Sequence, residues 1–141
     1  MKILIAADGS RYTKRMLAYL AAHDEWWKSQ QHTFTVLTVV PPIPARAAGA
    51  LSKQVVQGHY AEEAEEILKP IRKFFDKQGI QAEFLHKVGD PAEQITELAR
   101  KGSFDLLMMG SHGHGALARL VLGSVASRVL ATSEVPLLIV R

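Results

Sequence analysis

Residues 105–130 read DLLMMGSHGHGALARLVLGSVASRVL. Residues 106–109 are apolar at successive positions, as expected of a parallel strand buried on both faces, and the last residues have the periodicity of a helix. The connection between them contains four glycines within residues 110–123. Because glycine lets a backbone approach an anion closely and gives access to positive φ, the stretch predicts a phosphate-binding loop. Simple turns remain the alternative explanation of these glycines.

Four other short apolar runs are bounded by polar or turn residues: 2–7 (KILIAA), 34–40 (FTVLTVV), 82–88 (AEFLHKV) and 136–141 (PLLIVR). Together with 105–110 they give five predicted strands, and segments with helical periodicity lie between them. Strands that alternate with helices imply a parallel sheet with right-handed crossovers. We therefore predict an α/β, flavodoxin-like fold with a five-stranded parallel sheet of order 3-2-1-4-5, in a single domain over residues 1–141.

The first two helices are predicted from periodicity. One covers about residues 11–28, with Ser10 available as its N-cap. The other covers roughly residues 55–78. Pro70 lies inside the second segment and should kink or divide it, because proline lacks the N–H that the helix ladder needs.

The third helix has the clearest start in the sequence. Asp90 is its predicted N-cap, Pro91 occupies the first helical position and Glu93 the third. A fourth helix lies within residues 116–132. Residues 41–54, rich in proline and small residues, predict a mobile loop, which is either a surface connection or a lid.

The composition narrows the class of protein. The chain has 141 residues, 48% of them hydrophobic, and no cysteine, which excludes disulfides, thiolate catalysis and sulfur-ligated metals. The net charge of +3 comes from scattered residues and gives little support for nucleic-acid binding. Neither a signal segment nor an apolar stretch of membrane-spanning length is present. We expect a soluble, cytoplasmic protein that contacts neither nucleic acid nor membrane.

The predicted sheet brings two distant segments together. Ligands of such sheets bind where the strand order reverses, here between the first and fourth strands. Asp8, which follows the first strand, and Gly110, which ends the fourth, therefore become neighbours. Gly123 and Ser124 fit the start of the next helix, whose free N–H groups and dipole attract phosphate. The Ser124 hydroxyl would either cap that helix or donate to a phosphate.

Two common phosphate motifs do not fit the glycine stretch. Residues 110–115 have the G-x4-G spacing of a Walker loop, but Ala116 and Leu117 stand where that motif needs Lys and Ser or Thr. A loose dinucleotide fingerprint, G-x-G-x-x-A, covers residues 113–118. Only one strand follows this match. Glu134, the candidate for the acid that binds the ribose in this motif, precedes that strand instead of ending it. We interpret the second match as accidental.

The spacing that holds is G-x2-G-x9-G-S, formed by Gly110, Gly113, Gly123 and Ser124. With Asp8 and the motifs KILIAADGS, VLTVVPP, GDP, MGSHG, LGSVA and PLLIVR, the whole chain resembles the ATP-binding branch of the universal stress protein family. The resemblance implies the three-layer sandwich called adenine nucleotide alpha hydrolase-like.

The resemblance also implies a set of ligand-binding positions. The backbone at Ala7 and Val39 would bind adenine, and Asp8 and Gly110 would hold the ribose. The phosphates would be cradled by Gly113, Gly123, Ser124 and Val125. The side chains of Met109 and His112 would line the pocket.

The implied function is a regulatory module of the stress response that binds ATP or AMP, with Mg²⁺ or Mn²⁺ carried by the nucleotide. A homodimer that meets through the C-terminal strand region is implied as well. The alternative is a slow ATP hydrolase or another nucleotide-dependent enzyme of the same fold. Efficient turnover would need a positioned base and a cation clamp, which the sequence does not offer; no catalytic residue is predicted.

Other interpretations of single residues remain open. Asp8 could cap the first helix through Arg11. His112 and His114 form an H-x-H pair, but no third metal ligand is apparent nearby. Arg119 could contact a phosphate or be a solvated helix charge. Flavin binding is disfavoured, because no aromatic pair lies at the ends of the loops.

Overall fold

A computed structural model describes residues 1–29, 31–115 and 119–141 of the chain. Its centre is a sheet of five parallel strands in the order β3-β2-β1-β4-β5, which confirms the predicted topology. The strands are β1 Lys2–Ala6, β2 Thr33–Val40, β3 Ala82–Val88, β4 Leu106–Gly110 and β5 Leu137–Val140.

Six helices connect the strands within the described residues. They are α1 Arg11–Ala22, α2 Asp24–Ser29, α3 Ala45–Ala48, α4 Lys53–Gln78, α5 Pro91–Lys101 and α6 Ser124–Thr132. Two predicted caps are observed: the Ser10 side chain accepts from the N–H of Tyr12 at the start of α1, and Asp90 accepts from the N–H of Glu93 at the start of α5. Local capping chemistry therefore fixes these two helix starts.

The prediction of one helix over 11–28 is wrong, since α1 ends at Ala22 and α2 begins at Asp24. The break accompanies the burial of Trp27, which is 2% exposed and packs edge-on against Phe34 of β2. Tertiary packing thus overrides a continuous helical pattern here.

The second helix differs from its prediction in the opposite sense. α4 runs without a break from Lys53 to Gln78 and includes Pro70, so Pro70 does not divide it. A proline removes one helical hydrogen bond, and the packing of Leu68, Ile71 and Phe75 in the core holds the helix across that gap. Part of the predicted loop 41–54 is also helical, because it contains α3 and the start of α4.

The helices form one layer on each face of the sheet. On one face the buried core contains residues of β1, α1 and α4, among them Ile3, Ile5, Met16, Leu20, Ile71 and Phe75. On the other face it contains residues of β1, β4, α5 and α6, among them Leu4, Leu107, Ile95, Ala99 and Val129. Successive residues of β1 therefore enter different cores, which explains why the strand is apolar at every position.

The register of the strands determines where a ligand could bind. Ala6 of β1 lies beside Leu37 of β2 and Met109 of β4. The loops that follow these strands consequently leave the sheet at one level. Among the described residues, no helix is long and apolar enough to cross a membrane.

Candidate functional site

A cleft opens at the carboxyl edge of the sheet, where β1 and β4 end side by side. Its interior volume is about 120 Å³, and its mouth opens to solvent. The strand ends form its floor, and the start of α5, the first turn of α6 and the residues after β1 form its walls. The lining residues are Ala6, Ala7, Asp8, Thr13, Leu37, Val39, Pro91, Ile95, Met109, Gly110, His112, Gly113, Val125 and Ala126.

The loop after β1 orients Asp8 by short-range hydrogen bonds. Its carboxylate oxygen Oδ1 accepts from the N–H of Ser10 at 2.9 Å and from the hydroxyl of Thr13 at 3.0 Å. The N–H of Asp8 donates to the same hydroxyl at 3.1 Å. Asp8 therefore makes a turn in front of α1 whose cap is Ser10, and it does not cap the helix through Arg11.

The loop after β4 crosses closely over the loop after β1. A Cβ atom added at Gly113 would lie 2.8 Å from Oδ2 of Asp8, so a side chain at position 113 would meet the carboxylate. His114 adds a hydrogen bond from Nε2 to the carbonyl oxygen of Asp8, at 2.7 Å. The two segments predicted to be neighbours are thus in direct contact.

The other glycines of this loop also permit close packing. A Cβ at Gly110 would lie 2.6 Å from the Cβ of Tyr12 on α1, and one at Gly123 would lie 3.0 Å from the Cα of His112. None of the glycines at 110, 113, 115 and 123 has a positive φ; the glycines with positive φ are elsewhere in the chain. The loop therefore does not use the access to positive φ that glycine gives, and the glycines at 110, 113 and 123 serve close approach.

His112 fastens the two ends of the loop together. One ring nitrogen, Nε2, lies 2.8 Å from the carbonyl oxygen of Leu120, and the other, Nδ1, lies 2.8 Å from the hydroxyl of Ser111. A carbonyl can only accept, so Nε2 carries the hydrogen and Nδ1 accepts from Ser111. The ring also packs on Tyr12, with 4.9 Å between centroids. Both nitrogens are engaged within the protein, which leaves none for a metal ion.

The described part of the chain holds no group of three His, Asp or Glu residues that could bind a metal. The H-x-H pair therefore has no third ligand there. Its two histidines instead fasten the loop, His112 to Leu120 and His114 to Asp8.

The first turn of α6 faces the cleft without a side-chain cap. Gly123 is its N-cap residue, and the N–H of Gly123 donates to the carbonyl of Ser111 at 2.8 Å. The next N–H groups, at Ser124 and Val125, belong to the turn that has no helical acceptor. Ser124 is exposed and its hydroxyl does not cap the helix, so the capping alternative is wrong.

An ion pair joins the two helices that flank the cleft. Arg128 of α6 donates to Oδ1 of Asp90, the N-cap of α5, at 2.8 Å. The hydrogen bond from Arg128 and, after it, the N–H of Glu93 lower the pKa of the Asp90 carboxyl below its ordinary value. The carboxylate is consequently charged at neutral pH and connects the start of α5 to the middle of α6.

The structure gathers most of the predicted site residues at this cleft. Those that line it are Ala7, Asp8, Val39, Met109, Gly110, His112, Gly113 and Val125. Gly123 and Ser124 lie beside it at the start of α6. Arg119 is exposed, and the predicted helix positions 116–118 lie outside the described residues.

Sequence reasoning missed several lining residues, namely Ala6, Thr13, Leu37, Pro91, Ile95 and Ala126. Thr13 is the polar member of this group and lies five residues after Asp8, within the first turn of α1. Pro91 and Ile95 start a helix whose cap was recognised. What the pattern did not reveal is that this helix packs beside β2 and α6, which brings its first turn to the cleft.

Comparisons with known proteins agree with this architecture. The family model described as the universal stress protein family matches residues 1–141. Universal stress protein MJ0531 of Methanocaldococcus jannaschii is 31% identical over 140 residues, covering 99% of this chain and 81% of the relative. Universal stress protein Sll1388 of Synechocystis is 32% identical over 150 residues, and the match covers 99% of this chain and 97% of the relative. The structure of protein MJ0577 of Methanocaldococcus jannaschii has a TM-score of 0.83 at 27% identity, and the match covers 99% of this chain and 94% of that one.

Solved structures of the same fold include nucleotide complexes. One is a universal stress protein in complex with cAMP, 24% identical with a TM-score of 0.64, covering 100% of this chain and 96% of that one. Another is the Archaeoglobus fulgidus protein with dAMP, 22% identical with a TM-score of 0.69, covering 100% and 98%. A family member from Arabidopsis thaliana has AMP bound, at 16% identity and a TM-score of 0.70, covering 99% and 90%. At these identities the likeness establishes the fold alone.

Proposed function

The chain belongs to the universal stress protein family, and on that premise we propose that it binds an adenine nucleotide, ATP or AMP, in the cleft between the ends of β1 and β4. One observation carries the proposal: the loop after β1 and the loop after β4 meet in this cleft, with Gly113 packed against the Asp8 carboxylate. The complexes of other family members with cAMP, dAMP and AMP support the choice of ligand.

The proposed orientation of the nucleotide follows from the chemistry of the walls. Apolar residues of β2, β4 and α5, such as Val39, Met109 and Ile95, suit the adenine ring. Asp8 is the only carboxylate among the described lining residues and suits a ribose hydroxyl. The phosphates would lie at the uncapped first turn of α6, where the N–H groups of Ser124 and Val125 have no helical acceptor and the helix dipole favours an anion.

We propose a regulatory role in the stress response, with at most weak ATPase activity. The described lining residues contain no lysine or arginine, and His112 is occupied by hydrogen bonds within the loop. A phosphoryl-transfer enzyme generally needs a cation clamp and a positioned base. Any Mg²⁺ or Mn²⁺ would take most of its ligands from phosphate and water. Multiple-turnover measurements of phosphate release distinguish the two roles, and turnover at several per second would exclude the regulatory one.

The assembly and location are part of the same proposal. We propose a single cytoplasmic domain that forms a homodimer through β5. This strand lies at the edge of the sheet and its four residues are half-buried in the isolated chain; apolar edge strands are generally paired or protected. Sedimentation velocity tests the dimer, and a monomer at high micromolar concentration would contradict it.

Binding can be tested at Gly113, where a side chain would collide with the Asp8 carboxylate. Gly113→Ala is expected to weaken ATP and AMP binding by about tenfold or more, because the carboxylate or the loop must move. Gly113→Val should abolish it. Gly115→Ala is the matched control in the same loop, since a Cβ there meets no described atom within 4 Å.

Isothermal titration of ATP, AMP, adenosine and FMN against the three variants and the wild type measures the effect. The ratio of ATP to adenosine affinity reports the contribution of the phosphates. If the wild type binds no adenine nucleotide, or if Gly113→Val binds as well as the wild type, the proposed site is wrong.

A further inference from the structure

Thr13 forms a closed ring of hydrogen bonds with Asp8. Its hydroxyl donates to Oδ1 of Asp8 at 3.0 Å and accepts from the N–H of Asp8 at 3.1 Å. A hydroxyl has one hydrogen to donate, so the only donor of this side chain is committed to the carboxylate. Thr13 is 4% exposed and lines the cleft together with Asp8.

This arrangement is separate from the capping of α1. The helix start is already satisfied by Ser10, whose hydroxyl accepts from the N–H of Tyr12 at 3.2 Å. Thr13 is the third residue of α1, and its hydroxyl contacts Asp8 instead of a backbone carbonyl of its own helix. The hydroxyl thus acts on the Asp8 carboxylate.

The ring determines which oxygen of Asp8 is available to a ligand. Oδ1 accepts two hydrogen bonds, from Ser10 and Thr13. Oδ2 accepts none within the described residues and lies beside Gly113. A carboxylate with only the Ser10 contact could rotate, whereas two donors on one oxygen hold the other oxygen beside Gly113, which lines the cleft.

We infer that Thr13 is a positioning residue that fixes Oδ2 of Asp8 as the acceptor for a ribose hydroxyl, and that it thereby determines the preference of the site for ribonucleotides over nucleotides lacking these hydroxyls. The inference rests on the proposed nucleotide site. The hydroxyls are the donors of the sugar, so the direction of one acceptor oxygen decides whether they are bound. Thr13 itself does not contact the nucleotide in this arrangement.

The test compares AMP with 2′,3′-dideoxy-AMP, which lacks both ribose hydroxyls. Thr13→Val keeps the shape of the side chain and removes the hydroxyl. It should weaken AMP binding by about five- to tenfold, the range of one lost hydrogen bond to a charged group, and leave the dideoxy compound within about twofold of the wild type. Thr13→Ser, which restores the hydroxyl, should return the AMP affinity to within about twofold.

A double-substitution cycle adds an independent readout. In an Asp8→Ala background, Thr13→Val should have no further effect on AMP affinity, because the carboxylate it positions is gone. Thr35→Val is the matched control: Thr35 is 6% exposed, lies on β2 and does not line the cleft. Circular dichroism checks folding, and Thr13→Ala replaces the valine variant if the latter does not fold.

The outcomes separate the inference from the proposed function. If AMP and dideoxy-AMP weaken equally in Thr13→Val, or if neither weakens, the inference is overturned while AMP binding by the wild type upholds the proposed function. Additive effects of the two substitutions would overturn it as well. If the wild type binds no adenine nucleotide, the proposed function itself fails.

Discussion

The loops after β1 and β4 form the two sides of one cleft but are organised in different ways. The loop after β1 is held by hydrogen bonds among Asp8, Ser10 and Thr13, all within six residues of sequence. The loop after β4 is held by distant elements: Gly110 packs on Tyr12, and the N–H of Ser111 donates to Val140 of β5 at 2.8 Å. The first loop can form its turn from local chemistry, whereas the second depends on the assembled sheet.

The strongest disruption of the non-local loop is expected at Gly110. Gly110→Ala places a Cβ 2.6 Å from Tyr12 Cβ and 3.2 Å from the backbone carbon of Tyr12. Because neither atom is the flexible end of a side chain, α1 must shift away from β4. We expect a loss of about 2–3 kcal/mol in the free energy of unfolding, typical of an overpacked core.

Urea denaturation measures this loss. The control is Gly115→Ala, in the same loop, where a Cβ meets no described atom within 4 Å. Equal stability of the two variants would contradict the view that packing against α1 holds the loop.

A smaller and more local effect is expected at Ser10. Ser10→Ala removes the cap of α1 and should cost about 1 kcal/mol of stability. The N–H of Ser10, which orients Asp8, remains, so nucleotide affinity should change by less than about twofold.

Ser52→Ala provides the comparison, since Ser52 caps α4 with the same 3.2 Å contact, to the N–H of Val55, and is far from the cleft. Thermal unfolding and nucleotide titration are measured on both variants. A loss of affinity in Ser10→Ala as large as that in Gly113→Ala would show that the cap and the Asp8 turn are one unit.

The smallest effect is expected at Arg128, outside both loops. Its contact lowers the pKa of Asp90 in the folded protein, so the stabilisation is present above the ordinary carboxyl pKa and is lost as the pH falls through the lowered value. Arg128→Gln should therefore slightly lower the thermal midpoint at pH 7. The difference from the wild type should begin to shrink below about pH 4 and vanish once the pH is below the lowered pKa of Asp90.

The control for the loss of one positive charge is Arg46→Gln. Arg46 lies on α3 and has no ion pair among the described residues. Thermal scans at several pH values between about 2 and 7 provide the measurement. A difference that persists or grows at low pH would mean that Arg128 acts through packing and not through the charge of Asp90.

The strand order could be predicted because each of the five strands had a local signal in the sequence. The strand order followed from alternating elements, and the starts of α1 and α5 followed from Ser10 and Asp90. The division between α1 and α2 was not predictable in this way, because it depends on Trp27 packing against Phe34 of another element. The continuity of α4 across Pro70 likewise depends on core packing.

The same distinction applies to the candidate site. The approach of Asp8 to the glycine loop could be predicted from topology, and the structure places them in contact. The role of His112 could not, because the carbonyl of Leu120 reaches its ring only when the loop is closed. Thr13 carried a weak signal, since a hydroxyl in the first turn of a helix that follows an acid is common in sequences.

The contact between Gly113 and the Asp8 carboxylate has a consequence for redesign of the protein. Each position limits the volume available to the other, so a side chain at 113 becomes sterically acceptable only when residue 8 is shortened. The two positions should accordingly be exchanged as a pair in libraries aimed at new ligands. A variant with glycine at 8 and serine at 113 would move the polar group from one loop to the other and keep the cleft filled.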